Sequence, residues 1–348
     1  MTTKNPVLIV NFGGPRSLDE VKPFLQTLLC DQDVVRTQLP QWLHNLVFKF
    51  IASKRTAKVC KDYASIGGKS PIYFDTEEIA QHLRQTLNVP VWTFHRYLPS
   101  LHQDFLKNFI QESKGYNHIQ VVPMFPQFTY ATTGSIARWL QENLPREITH
   151  KLVWHKSYPD DPDFIHAYAE RIKEVMEKNN FEESKMILLA SAHGVPEKFI
   201  KYGDPYQKEC ERTFKALAQY FPKALCRLSY QSKFGPEEWI KPYTEDVCHD
   251  ILHWNENRHQ LIVVPIAFTS DHIETLFEID QEYLPILKQR GIHACRAQAL
   301  NHHPLWLKAV EKLCQKPAHL TTQMLVNSFC KWQKICPKFG KCACPKNT

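Results

Sequence analysis

The chain of 348 residues is long enough for two domains, and its 43% hydrophobic and 23% charged residues exclude disordered and collagen-like proteins. A formal net charge of +7 favours anionic ligands or an anionic membrane face. Because no basic run or recognition motif accompanies this charge, nucleic acid is not an expected partner.

The first residues lead directly into an apolar strand, without the cationic stretch, apolar core and cleavage site of a signal peptide. No stretch approaches the roughly 18 apolar residues that a membrane span needs. Seven of the eleven cysteines are scattered singly, which is typical of reduced thiols in the cytosol. We therefore expect a cytoplasmic protein.

Two glycine-rich turns in the first half resemble nucleotide-binding motifs but lack essential residues. The strand from Leu8 ends at Gly13-Gly14, whereas a dinucleotide fingerprint needs G-x-G-x-x-G. Gly67-Gly68-Lys69-Ser70 ends like a P-loop, yet its first glycine would fall at Tyr63. Nicotinamide, flavin and nucleoside phosphates are therefore disfavoured as ligands.

The stretch from Leu39 to Ile51 is apolar around most of a helical circumference and is followed by Lys54 and Arg55. One interpretation is a buried helix. The other is an amphipathic lip that contacts a membrane or an apolar ligand. Composition does not separate the two.

Strand-like segments recur in the two halves of the chain. The segment 8–14 resembles 188–194, and the Val-Val-Pro strand at 118–125 resembles the one at 261–270. This pattern predicts two similar α/β lobes that face a shared cleft and join near residues 155 to 180.

Another strand, from Val91, ends at Arg96 and Tyr97, which could clamp a carboxylate and stack on a flat ring.

One candidate site lies where the apolar run Met186–Ala192 ends at His193, at the carboxyl edge of a predicted parallel sheet. A lone histidine there is more often structural. After the second Val-Val-Pro strand, Asp271 and Glu274 fit a helix cap with its reciprocal glutamate. However, Glu274, Glu278 and Glu282 recur every four residues, which predicts an acidic helical face suited to protons or a briefly held metal.

Taken together, these segments closely resemble the ferrochelatases over about residues 7 to 310. The motifs that carry the resemblance are, in chain order, Asn11-Phe12-Gly13-Gly14-Pro15, Lys54-Arg55-Thr56, Ile66-Gly67-Gly68-Lys69-Ser70-Pro71, Arg96-Tyr97, Thr132-Thr133-Gly134-Ser135, Ser191-Ala192-His193-Gly194-Val195-Pro196, Tyr230-Gln231-Ser232-Lys233-Phe234-Gly235-Pro236, Trp239, and Thr269-Ser270-Asp271-His272-Ile273-Glu274.

The resemblance implies two Rossmann-like, chelatase-type lobes with parallel sheets flanked by helices, and insertion of Fe(II) into protoporphyrin IX to form protoheme with release of two protons. It implies that His193 and Glu274 are the catalytic iron-site residues and that Glu278 belongs to an acidic path for protons or metal. Tyr63, Arg96 and Tyr97 are implied porphyrin contacts. No cofactor is needed for catalysis, and Leu39 to Ile51 corresponds to an apolar lip that can touch the inner face of the membrane.

The predicted domains are residues 1–160, residues 161–325 and a tail of residues 326–348 that is rich in cysteine and lysine. Some ferrochelatases hold a [2Fe-2S] cluster with tail cysteines, and Cys336 and Cys344 match the outer pair of that pattern. Phe339 occupies the intermediate ligand position and Tyr130 replaces an upstream cysteine, so Cys330 and Cys342 would have to substitute.

Three alternative functions remain open at this level. Coproporphyrin III could be the substrate, although the apolar lip favours protoporphyrin because extra propionates would lie against it. A related chelatase would load cobalt or nickel into another tetrapyrrole. A carrier would bind porphyrin or heme without catalysis and would not require His193 or Glu274. The sequence leaves the oligomeric state undetermined.

Overall fold

The structure is a computed structural model that describes residues 5–331, with side chains through Val326. The chain divides into two compact units. The first unit comprises the chain up to Met124, the segment Phe128–Lys156 and the chain from Glu311 onward. The second unit comprises Phe125–Gln127 and Ser157–Val310.

The described residues form short strands, of which β1 and β3 are buried throughout while β6, β8 and β9 are partly exposed. In chain order they are β1 (Val7–Asn11), β2 (Val91–His95), β3 (Ile119–Pro123), β4 (Leu152–Trp154), β5 (Met186–His193), β6 (Leu225–Gln231), β7 (Gln260–Pro265), β8 (His293–Arg296) and β9 (Leu320–Thr321).

The helices fill most of the remaining chain. In chain order they are α1 (Val21–Leu29), α2 (Gln41–Ser65), α3 (Pro71–Leu87), α4 (His102–Glu112), α5 (Ser135–Asn143), α6 (Arg146–Thr149), α7 (Pro162–Asn179), α8 (Glu197–Lys201), α9 (Tyr206–Ala218), α10 (Thr244–His249), α11 (Ile251–Trp254), α12 (Leu284–Gln289), α13 (Pro304–Gln315) and α14 (Thr322–Lys331). Two segments are π-helical, Tyr130–Gly134 before α5 and Glu274–Tyr283 before α12.

The sheet of the first unit has the order β2-β1-β3-β4-β9, with parallel pairing except at β9. Residues of β1 and β3 are buried throughout, as expected for strands covered on both faces. Because β9 pairs antiparallel with β4, the chain from Glu311 belongs to the first unit. The predicted second domain, residues 161–325, therefore extends too far, and the difference arises from a two-residue strand too short to recognise in the sequence.

The second unit has the order β6-β5-β7-β8 and is parallel throughout. This order repeats the parallel part of the first sheet when β5 to β8 are matched with β1 to β4. In both units the Val-Val-Pro strand leads into a π-helical segment and then an α-helix. The prediction of two similar α/β lobes is confirmed.

The π-helix Glu274–Tyr283 packs against the second sheet through an apolar core. Ile279 and Tyr283 from this segment lie in one cluster with Leu189 of β5 and Val263 of β7. These side chains are fully or almost fully buried, so the core fixes one face of the π-helix against the strand that ends at His193.

Helix α2 carries the predicted apolar lip. Trp42, Leu46 and Phe50 are 69%, 63% and 60% exposed, and their spacing of four residues places them along one side of the helix. His44 and Ala52 of the same helix are buried. The exposed stripe agrees with the interpretation of this stretch as an amphipathic lip and not as a buried helix. Within residues 5–331, no helix is long and apolar enough to cross a membrane.

Candidate functional site

The strand β5 delivers His193 to the carboxyl edge of the second sheet. The strand is buried up to Ala192, and exposure begins at His193. The N–H of Gly194 donates to the carbonyl of Gln231 at 2.8 Å. A Cβ atom at Gly194 would lie 3.0 Å from the Trp239 ring and 3.1 Å from that carbonyl. Glycine thus fits best here, because a larger residue would need the Trp239 ring or the Gln231 backbone to move by a few tenths of an ångström.

His193 and Glu274 are in direct contact. The distance from His193 Nδ1 to Glu274 Oε2 is 2.9 Å, and the two side chains are 34% and 28% exposed. His272 Nε2 lies 3.6 Å from the same carboxylate oxygen. The rings of Trp239 and Phe268 lie edge to face with His193, at centroid distances of 6.0 and 6.4 Å. The pair is thus framed by aromatic groups but open to solvent.

Electrostatics favour an ionised pair. Burial would lower the pKa of His193, but the charge of Glu274, its hydrogen bond and the charge of Glu278 together raise it. Burial would raise the pKa of Glu274, yet the interactions with His193 and His272 lower it to about 2. Burial also lowers the pKa of His272. The site therefore combines an anionic carboxylate with one basic and one weakly basic imidazole.

Glu278 is held by several hydrogen bonds. The N–H of Ser232 donates to Oε1 at 2.7 Å, and the side chains of Gln231 and Ser232 donate to Oε2 at 3.1 and 2.5 Å. The hydroxyl of Tyr283 also donates to Oε1. Burial and the charge of Glu274 raise the pKa of Glu278, although the hydrogen bonds from the Ser232 and Tyr283 hydroxyls oppose the shift. Gln231 ties the network together because its amide also donates to the carbonyl of Glu274 at 2.8 Å.

The acidic face differs from the one that α-helical spacing predicts. In the π-helix, Glu274 and Glu278 share the Gln231 amide, but Glu282 is exposed and the buried Tyr283 contacts Glu278 instead. A π-helix has wider turns than an α-helix, so a residue five positions later lies over Glu278. Pro285 follows this segment in α12, and since proline has no N–H, the regular hydrogen-bond ladder cannot continue through it.

Asp271 does not form the predicted helix cap with Glu274. Its Oδ1 accepts from the Thr275 hydroxyl at 2.8 Å and from Arg296 Nη1 at 2.6 Å. The carboxylate of Glu274 is turned instead toward His193. The D-x-x-E spacing here thus serves two separate interactions.

The predicted porphyrin contacts lie in the first unit, two of them in a buried polar network. Arg96 Nη2 lies 2.6 Å from Asp31 Oδ2 and Nε donates to Ser135 Oγ at 3.0 Å. The Tyr97 hydroxyl donates to the same Asp31 oxygen at 3.0 Å, and its ring is fully buried. Tyr63 is 2% exposed. Their contact with porphyrin stays a prediction.

Sequence reasoning did not foresee several groups around the pair. Tyr283 lies five residues after Glu278, a spacing that α-helical periodicity does not bring together. Arg296 ends a strand that has no motif of its own. Trp239 was part of the family motif but without an assigned role, and its contact with Gly194 and His193 now supplies one.

The tail residues Cys336, Cys342 and Cys344, and the side chain of Cys330, lie outside the part of the chain that the structure describes. A [2Fe-2S] cluster on them stays a hypothesis. Iron and sulfide analysis with a visible spectrum of anaerobically purified protein tests it, since a colourless, iron-free preparation would end the idea.

Comparisons with known proteins agree on one family. The family model described as Ferrochelatase matches residues 4–318. The ferrochelatase of Chlamydia felis is 41% identical over 321 residues, which cover 92% of this chain and 98% of that protein. The ferrochelatase of Chlamydia pneumoniae is 39% identical over a stretch that covers 92% of this chain and 96% of that protein.

Two solved structures share the fold at low sequence identity. SirB from Bacillus subtilis with Fe3+ has a TM-score of 0.52 at 12% identity, covering 95% of this chain and 99% of that chain. The sirohydrochlorin chelatase SirB from Bacillus subtilis subspecies spizizenii in complex with cobalt has a TM-score of 0.51 at 13% identity, covering 90% and 94%. These likenesses concern the fold alone.

Proposed function

The chain belongs to the ferrochelatase family, and we propose that it inserts Fe(II) into protoporphyrin IX to form protoheme, the last step of heme synthesis. The observation that carries this proposal is the partly exposed His193–Glu274 pair at the edge of the second sheet. Metal insertion needs a group that accepts pyrrole protons and a group that receives the iron as it loses water. An imidazole and a carboxylate meet these two demands.

The hydrogen bond suggests how the two roles divide. Glu274 accepts from Nδ1 of His193, which leaves Nε2 as the ring nitrogen that takes a proton when the histidine is neutral. The anionic Glu274 stabilises the imidazolium that results, and it offers an oxygen to a divalent cation. Glu278, fixed by its donors, adds negative charge behind the pair. Protons could then leave along this acidic side of the site.

The substrate porphyrin is proposed from the exposed stripe of α2. Trp42, Leu46 and Phe50 present an apolar surface that suits the vinyl-bearing edge of protoporphyrin better than additional propionates. The same stripe, with Lys49 and Lys54 on the helix, suits an anionic membrane surface. We place the protein in the cytoplasm, peripheral to the inner face of the membrane. Assays with both porphyrins distinguish protoporphyrin from coproporphyrin III.

The test is an anaerobic assay of Fe(II) insertion in the native chain and in His193→Ala. We expect the variant to lose insertion by at least about 1000-fold, because the proton acceptor and the partner of Glu274 disappear together, while porphyrin binding, followed by fluorescence, persists. A matched control is His303→Ala, which removes another histidine–glutamate pair of the second unit, with Nε2 of His303 3.2 Å from Glu174.

The outcomes separate the candidate functions. Normal turnover of His193→Ala would contradict the site assignment. Porphyrin binding without insertion in the native chain would favour the carrier. If the native chain accepts coproporphyrin III and rejects protoporphyrin IX, the substrate proposal fails while the site assignment stands.

A further inference from the structure

Arg296, the last residue of β8, bridges two aspartates on either side of the site. Its Nε and Nη2 each lie 2.9 Å from one oxygen of Asp280, and its Nη1 lies 2.6 Å from Asp271 Oδ1. The side chains of Arg296 and Asp271 are 7% and 8% exposed. A planar guanidinium can serve two carboxylates at once because its donors form a rigid fork.

The two aspartates bracket the residues proposed for chemistry. Asp271 lies three residues before Glu274, and Asp280 lies two residues after Glu278. The bridge therefore connects the loop before the π-helix with a point inside it, across the segment that carries both glutamates.

Asp271 passes this constraint on to its neighbours. Its Oδ2 accepts from the Asn301 side chain at 2.9 Å, and its N–H donates to Asn301 Oδ1 at 2.7 Å. The Thr275 hydroxyl donates to Asp271 at 2.8 Å and accepts from the N–H of His272 at 3.0 Å. Thr275, the residue after Glu274, is thus tied directly to Asp271, and the backbone of His272 is tied to Asp271 through Thr275. Asp271 in turn is held by Arg296.

Such a constraint matters because π-helical turns are rare and less favourable than α-helical ones, and they persist only where their surroundings hold them. Relaxation to α-helical spacing would change which residues share a face with Glu274. The apolar core holds one side of this segment through Ile279 and Tyr283, whereas Arg296 ties its polar side.

We propose that Arg296 is a positioning residue for the proposed metal insertion: by bridging Asp271 and Asp280 it holds the π-helix in the register that keeps Glu274 against His193. This inference rests on the proposed function for its catalytic consequence. Arg296 itself contacts neither His193 nor Glu274 in the structure, so it acts through the backbone that it fixes.

The test uses the full chain and compares Arg296→Met, Arg296→Lys and Asp280→Asn. The matched control is Arg258→Met, which removes a half-buried arginine of the same unit that donates to the carbonyls of Met186 and Lys223 at 3.1 and 2.8 Å. Two measurements are made on each protein. One is native-state hydrogen–deuterium exchange of the peptide covering 272–284 without porphyrin or metal, and the other is kcat and KM for porphyrin.

In Arg296→Met we expect exchange of the 272–284 peptide to accelerate at least about tenfold and kcat to fall about 10- to 100-fold with KM changed less than about twofold, because a misplaced group mainly slows the chemical step. Arg296→Lys should resemble Arg296→Met, since a lysine cannot reproduce the fork. Asp280→Asn should give a smaller loss of the same kind. Arg258→Met should change neither the local exchange nor kcat.

The proposal is overturned if folded Arg296→Met keeps native exchange in 272–284, or if Arg296→Lys behaves like the native chain, because charge alone would then suffice. Equal effects in Arg258→Met would reduce Arg296 to a general stability role. If the native chain lacks insertion activity, the proposed function fails, yet the exchange comparison still decides whether Arg296 holds the register.

Discussion

At the scale of single residues, the hydrogen atom of Gly194 sets how closely the end of β5 approaches its neighbours. The space around the Gly194 Cα is limited by the Trp239 ring and by the carbonyl of Gln231, which also accepts a hydrogen bond from the Gly194 N–H. His193 directly precedes Gly194. Any displacement here therefore moves the imidazole that faces Glu274.

We predict that Gly194→Ala destabilises the protein by about 1–3 kcal/mol, because a methyl group must displace Trp239 or the Gln231 backbone. We also expect kcat for metal insertion to fall, since His193 shifts with the strand. Gly115→Ala is the control. No atom lies within 4 Å of its added Cβ, so we expect a change below about 0.5 kcal/mol. Urea unfolding and the insertion assay measure both effects. Equal stability of the two variants would contradict the crowding argument.

The strand pattern of the sequence places His193 and Glu274 near the same sheet edge, since one ends an apolar run and the other comes after the Val-Val-Pro strand. That pattern alone fits a structural histidine and a helix cap, and it was the resemblance to the ferrochelatases that implied a joint role. Their partners could not be predicted in the same way. Asp271 fits a cap by spacing, but a buried arginine 25 residues later competes for it, and such long-range competition leaves no local pattern.

At the scale of elements, α2 has one stripe that its own unit leaves exposed. Burying a large apolar side chain contributes about 1.5–3 kcal/mol, so three exposed ones, Trp42, Leu46 and Phe50, represent a substantial driving force for contact with lipid. The ammonium of Lys54 lies 4.6 Å from the Phe50 ring. A cation beside the stripe would add attraction to anionic headgroups.

We predict that the native chain co-sediments with vesicles of anionic phospholipid and that Trp42→Ser/Leu46→Ser/Phe50→Ser loses at least about tenfold of its vesicle affinity. Leu252→Ser, at a single apolar side chain that is 57% exposed, should bind vesicles like the native chain. Thermal unfolding should be nearly unchanged in both variants, since the replaced side chains are mostly exposed. If the triple variant binds vesicles as tightly as the native chain does, the exposed stripe of α2 is not the membrane contact.

The π-helix marks the limit of prediction for elements. Periodicity of four residues correctly signalled a helix after Asp271 and an acidic face at Glu274 and Glu278. It placed Glu282 on that face, whereas the structure places Tyr283 there. The wider turn depends on contacts from the core and from Arg296, which lie far away in sequence. Local propensity favours an α-helix at these residues and therefore misassigns the third position.

At the scale of the whole molecule, the repeat was predictable because each lobe begins with a strand and a turn and later carries Val-Val-Pro. These features follow from burial on both faces of a parallel sheet. The return of the chain to the first unit was not predictable, since β9 contributes only two residues. Its evidence is tertiary: the Trp154 indole N–H donates to Thr322 Oγ1 at 2.9 Å, and Gln120 Nε2 donates to the carbonyl of Lys316 at 2.7 Å.

Because β9 and α14 pack in the first unit, we predict that the stability of this unit depends on them. A chain that ends after Lys316 lacks β9, α14 and the buried Leu325 and Val326, so it should lose roughly 3 kcal/mol or more of unfolding free energy. The matched control ends after Lys331 and retains both elements, so the two truncated proteins differ only in residues 317–331. Urea unfolding followed by tryptophan fluorescence gives the unfolding midpoint, and Trp154 of the first unit, which is 1% exposed, contributes to the signal. Equal midpoints would mean that β9 and α14 are accessory to the first unit.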